Sequence, residues 1–106
     1  MSTLTVTFWG VRGSIPVPGP ETMKYGGNTA CLELKSDAGD WIVFDAGTGL
    51  RVLGESLDLS KNYTVNMCIS HPHWDHINGF PFFPVIFIPG NTVNVYGPGT
   101  FEKSLE

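Results

Sequence analysis

Residues 70–80 read SHPHWDHINGF, and this stretch holds all three histidines of the chain, with an aspartate between the second and the third. Pro72 lacks an N–H and pushes His71 away from helical dihedrals, so the cluster does not lie in a helix interior. In an extended or turning segment, positions 71, 73 and 75 project to one side and His76 points elsewhere, which allows four donors to be aimed at two neighbouring points. Neutral imidazoles and a carboxylate suit zinc, manganese or iron. Burying so many polar groups beside Trp74, Ile77 and Phe80 costs several kcal/mol unless something coordinates them. The stretch therefore reads as a metal-ligating cluster of His71, His73, Asp75 and His76.

Outward from the cluster the pattern is rich in strands. Residues 63–70 (YTVNMCIS) form an apolar run of strand length that ends at the histidines and places them at a sheet edge. Residues 3–9 (TLTVTFW) alternate in the manner of a half-buried strand. Residues 28–35 (NTACLELK) and 41–45 (WIVFD) flank the turn formers of SDAGD and predict a hairpin. A short helix follows, with Leu50, Val52, Leu53 and Leu57 at helical spacing behind Thr48 as cap. Residues 92–96 (TVNVY) predict a further strand, and the apolar stretch 77–90 before it is broken by prolines. Residues 10–27 carry five glycines and three prolines, too many breakers for regular structure, and loops of that length are commonly functional. The segment TFEKSLE looks like a helix just starting.

The 106 residues, 42% hydrophobic and 15% charged, fit one globular domain with a core of its own, spanning residues 1–106. A formal charge of −4 gives no broad basic surface for a nucleic-acid backbone. No apolar run is long enough for a membrane helix and no signal-like start is present, so a cytoplasmic protein without membrane partners is expected. Cys31 and Cys68 sit in strand-like apolar stretches and read as small buried side chains, not a disulfide.

HPHWDH resembles the His-x-His-x-Asp-His signature of the metallo-β-lactamase-fold hydrolases. GVRGSIPVPGPETMKYGGNT and FDAGTG resemble the N-terminal half of the phosphodiesterase-like branch, which includes ribonuclease Z and phosphodiesterases linked to phosphonate breakdown. The resemblance implies an α/β (α+β) chain forming the N-terminal, strand-rich half of a four-layer αββα sandwich. It implies two divalent ions, Zn²⁺ first with Mn²⁺ or Fe²⁺ as alternatives. His71 and His73 would bind one ion, Asp75 and His76 the other. Asp45 would hold a ligand histidine in its metal-binding tautomer. The reaction implied is hydrolysis of a small-molecule or nucleotide phosphodiester by a metal-activated hydroxide at a binuclear site, oriented by Asp75. Arg12, Gly26, Gly27 and Asn28 are the candidates for meeting the substrate's charge. The alternatives are a thioester hydrolase of the glyoxalase II kind and a non-catalytic half-domain that acts by association. His73 argues against the di-iron redox branch, which carries glutamate there.

Family members complete the site with two more histidines and a bridging aspartate from the second half of the fold. Here no histidine follows His76, and the acidic residues beyond it, Glu102 and Glu106, do not resemble that aspartate. The expectation is a truncated half that is incomplete and inactive alone. It would self-associate as a dimer through an apolar face that Phe80, Phe82, Phe83, Val85, Ile86 and Phe87 could line.

Overall fold

Alternating apolar and β-branched residues build a single sheet whose strands follow one another in space as they do in sequence. In the computed structural model, which describes residues 3–98, β1 (Leu4–Gly10), β2 (Cys31–Ser36), β3 (Trp41–Phe44), β4 (Thr64–Cys68) and β5 (Thr92–Tyr96) form a five-stranded sheet in the order β1-β2-β3-β4-β5. Strands β1, β2 and β3 pair antiparallel, joined through the expected hairpin turn, whereas β3, β4 and β5 pair parallel. The switch to parallel pairing requires a crossover, and α1 (Gly49–Glu55) supplies it between β3 and β4. The result is mixed α/β. Residues 99–106, with Glu102, Glu106 and the expected start of a helix in TFEKSLE, lie outside the described residues.

The sheet has one covered and one open face. On the covered face Val43, Val65 and Met67 pack with Leu50 and Leu53 of α1 and with Phe83 and Val85 from the proline-broken segment. Each of these large side chains contributes on the order of 1.5–3 kcal/mol by leaving water. Prolines begin successive 3-10 turns, Phe80–Phe82 and Pro84–Phe87, which fold the segment back across the helix. Glu33 is also on this face, only 4% exposed, with its carboxylate accepting from the indole N–H of Trp9 at 2.9 Å and of Trp41 at 2.7 Å. Cys31 is buried beside it, and its thiol is pushed up to about 12 by that burial and by the negative charges of Glu33 and Asp45. Both cysteines are free thiols, as expected from their strand-like setting, but Cys31 is buried whereas Cys68 is only half-buried.

The open face is apolar. One row runs across all five strands as Phe8, Leu32, Phe44, Cys68 and Tyr96, and the next as Val6, Leu34, Ile42, Asn66 and Asn94. Phe8 is 69% exposed and Tyr96 56%. The apolar row of the half-buried β1 thus points away from the core, which Trp9 and Thr7 face instead. The uncovered surface is also not the one expected: Phe83 and Val85 are fully buried, Phe80 and Ile86 pack against the core, and of that set Phe82 and Phe87 are exposed. No described helix is long and apolar enough to cross a membrane.

Thr48 precedes α1 but does not cap it with its side chain. Its hydroxyl accepts from the Thr29 N–H at 2.9 Å and donates to Asn28 Oδ1 at 3.2 Å, while the Thr48 N–H donates to Thr29 Oγ1 at 2.8 Å. A partner from the preceding loop has displaced the local cap.

Candidate functional site

The carboxyl ends of β3 and β4 lie side by side, with Phe44 opposite Cys68, and two short segments leave the sheet there together. Crevices outside the carboxyl ends of parallel strands are where open α/β sheets place their ligands. Asp45 ends β3 in the left-handed region, φ 66°, a conformation aspartate tolerates better than most residues. Its own N–H stays on Cys68 O at 2.8 Å, so the turn swings its side chain over the start of the histidine segment.

Asp45 gathers that segment. Its carboxylate accepts from the Ser70 N–H at 2.7 Å and from the Ser70 hydroxyl at 2.9 Å, and Oδ2 lies 3.1 Å from His76 Nδ1. The ring centroid of His71 is 4.4 Å from that of His73 and 4.0 Å from that of His76. The 3-10 turn Trp74–His76, closed by the His76 N–H on His73 O at 2.9 Å, brings Asp75 Oδ2 to 3.3 Å from His76 Nε2. Across the molecule, the Ser14 N–H donates to the same Asp75 oxygen at 3.1 Å. That bond above all holds the Asp75 carboxyl below its ordinary range, against the opposing effect of desolvation and with lesser help from the neighbouring His76 and His71. Ser14 has φ 73°, a strained conformation for a residue with a Cβ.

The segment is pinned to the loop after β3 by backbone. The Ala46 N–H donates to His76 O and the Gly79 N–H to Ala46 O, both at 2.8 Å. Below them the buried Asn78 accepts from the Thr29 hydroxyl at 3.3 Å. Three stretches that looked separate, GGNT, FDAGTG and HINGF, are thus one hydrogen-bonded unit.

Arg12, Gly26, Gly27 and Asn28 stand apart from the histidines. Arg12 Nε donates to Ile15 O at 2.8 Å, the Gly26 N–H to Thr22 O at 2.7 Å, and Gly27 O accepts from Val17. Arg12 and Gly26 line a cleft of about 220 Å³ with Lys24, Tyr25 and Glu21. Among the described residues none of the four bonds to the cluster. Ser14 and Ser70, which do, were not singled out in the sequence; the run Gly13-Ser14 and the position just before the first histidine were the available signals.

Imidazole and carboxylate donors are chemically suited to a divalent cation. His76 Nε2 and Asp75 Oδ2 stand 3.3 Å apart, and an imidazole protonated on Nδ1 toward Asp45 would leave Nε2 a lone pair for a cation. Donors on one tetrahedral ion with bonds of about 2.1 Å are about 3.4 Å apart. Among the described residues no three or more His, Cys, Asp or Glu side chains are grouped so that they could hold a metal ion.

The chain is similar to proteins named ribonuclease Z along nearly its whole length. It is 33% identical over 106 residues to that of Methanococcus maripaludis strain C6, an alignment covering 97% of this chain and 32% of the relative. It is 29% identical to that of Prochlorococcus marinus strain MIT 9303, covering 97% and 31%. The chain spans about a third of the length of these curated relatives. No family model matches the chain, and no solved structure matches it significantly.

Proposed function

We propose that this chain is part of a metal-dependent hydrolase of phosphodiester bonds that acts in the cytoplasm. The observation that carries the reading is the approach of His76 Nε2 to Asp75 Oδ2, 3.3 Å apart with Asp45 behind the imidazole. The named ribonucleases Z support the bond type. His71 and His73 would hold one ion and Asp75 and His76 a second, Zn²⁺ before Mn²⁺ or Fe²⁺. Bound divalent ions supply a hydroxide near neutral pH and polarise the phosphoryl oxygen. The chain's own residues do the rest. Asp45 fixes the His76 tautomer, Ser14 steadies Asp75, and Asp75 orients the attacking water by accepting its hydrogen bond. Arg12, Gly26, Gly27 and Asn28 border the substrate's approach, with Arg12 offering its guanidinium to a phosphate oxygen.

In this reading residues 1–106 are the N-terminal half of an αββα sandwich, and further ligands come from outside this chain. Calorimetric titration tests it: the chain takes up Zn²⁺, and the combined His71→Ala, His73→Ala change weakens uptake about tenfold or more with little loss of stability. Equal uptake by both would reject these ligands. The longer protein should cleave bis(p-nitrophenyl) phosphate with Zn²⁺ or Mn²⁺ added. Brisk thioester cleavage without phosphodiester turnover would replace the reaction assigned.

A second reading, an association module, is favoured by the open sheet face, where Phe8, Phe44 and Tyr96 are exposed in one row, since contiguous exposed apolar patches mark interaction sites. It expects this chain to form dimers in which Phe8, Phe44 and Tyr96 are covered. Light scattering that finds a monomer at all concentrations, unchanged by Phe8→Lys, would count against it.

A further inference from the structure

Ser70 sits where the groups of the cluster meet. Its hydroxyl oxygen lies 2.9 Å from each Asp45 oxygen, 3.0 Å from His71 Nδ1 and 3.4 Å from His76 Nδ1. A hydroxyl has one proton to donate and lone pairs with which to accept. The ionised carboxylate of Asp45 only accepts, and a bond to it is charge-assisted, so it takes the Ser70 proton in preference to a neutral imidazole nitrogen. The Ser70 backbone N–H, 2.7 Å from Asp45 Oδ1, holds the serine in that orientation. The lone pairs left over face His71, and a ring nitrogen 3.0 Å away bonds to them only by donating. His71 is then protonated on Nδ1, and Nε2 carries the free lone pair.

Asp45 imposes the same arrangement directly on His76, through Oδ2 at 3.1 Å from Nδ1. It has no direct bond to His71 among the described residues. We infer that Ser70 is a positioning residue which relays the preference of Asp45 to His71, so that one carboxylate in a left-handed turn frees Nε2 on two histidines. The inference deepens the metal-binding reading and rests on it for its purpose, though the tautomer itself exists without metal. A residue that only filled space would leave the ring proton where it is, because which nitrogen is protonated follows the hydrogen bond the other makes.

Long-range ¹H–¹⁵N correlation spectra of the metal-free chain, at about pH 8 where an unperturbed imidazole is neutral, read the tautomer of each ring. The parent should show the Nδ1–H pattern at both His71 and His76. Ser70→Ala should move His71 to the Nε2–H form and leave His76 unchanged; Ser70→Thr, which keeps the hydroxyl, should restore the parent pattern. Zn²⁺ affinity should fall about 10–100-fold in Ser70→Ala and recover in Ser70→Thr. An unchanged His71 tautomer in Ser70→Ala overturns the relay, as does equal Zn²⁺ affinity of parent and Ser70→Ala. A His71 tautomer shift in Ser70→Ala, with no Zn²⁺ taken up by the parent, leaves the relay standing and removes the metal-binding reading.

Discussion

Gly79→Ala is expected to cost about 4 kcal/mol or more, enough to unfold a domain of ordinary stability. The backbone of Gly79 has φ outside the left-handed region, so the cost does not come from its conformation. It comes from space: a Cβ there would lie 1.9 Å from Gly47 O and 2.6 Å from its carbonyl carbon. Both neighbours are backbone and cannot rotate aside. Gly47 is hemmed in likewise, its own Cβ position falling 2.5 Å from Asp75 O, so neither segment can retreat. Any relief must separate the loop after β3 from the histidine segment and break the Gly79 to Ala46 hydrogen bond. Gly13→Ala is the control, since a Cβ there meets nothing within 4 Å, and it should change stability by about 0.5 kcal/mol at most. Urea denaturation followed by circular dichroism compares the two. A Gly79→Ala variant as stable as Gly13→Ala would mean that the two segments do not pack as described.

Replacing Glu33 by alanine should cost about 3 kcal/mol or more. The carboxylate is 4% exposed and is the acceptor for two indole N–H groups, on Trp9 and Trp41. Each donor left without a partner costs about 1–3 kcal/mol. Lys35 Nζ, 3.5 Å from Oε2, balances the charge from the surface, and Lys35→Ala should cost about 1 kcal/mol or less because half of that side chain is already in water. Glu33→Gln separates hydrogen bonding from size: its one carbonyl oxygen serves one indole while its amide N–H₂ confronts the other. Its loss should fall between the two, near 2 kcal/mol. Urea unfolding monitored by tryptophan fluorescence gives all three values. A Glu33→Ala loss no greater than that of Lys35→Ala would show that the indoles find water instead.

Much of this architecture was readable because short-range chemistry controls it. Alternation in the first strand and short apolar, β-branched runs in the others located all five to within a few residues, and SDAGD marked its hairpin with turn formers. Pro72 excluded a helix interior for the cluster, and the segment there is extended before a single 3-10 turn at Trp74–His76. What escaped is set by partners far along the chain. That Leu4, Val6 and Phe8 line the open face cannot be known from their alternation, which is the same whichever way the strand is turned. Thr48 has the composition of a cap, yet Thr29, nineteen positions earlier, engages both its N–H and its hydroxyl. Phe83 and Val85 are core whereas Phe82 and Phe87 are not, because the 3-10 turns between the prolines decide which side chains reach α1. The Ser14 N–H meets Asp75 across 61 positions, a contact that only the closed loop creates.

The parallel junction of β3 and β4 is held by three paired positions, Ile42 with Asn66, Val43 with Met67 and Phe44 with Cys68. The β2-β3 hairpin can zip up through its tight turn, but this seam closes only after α1 has looped the chain back, paying closure entropy before any reward. Asp45 and Ser70 lie immediately beyond it. The corner where Asp45 meets the histidine segment is therefore a late arrival during folding, and in the native ensemble it is among the first places where amide protons should exchange with solvent.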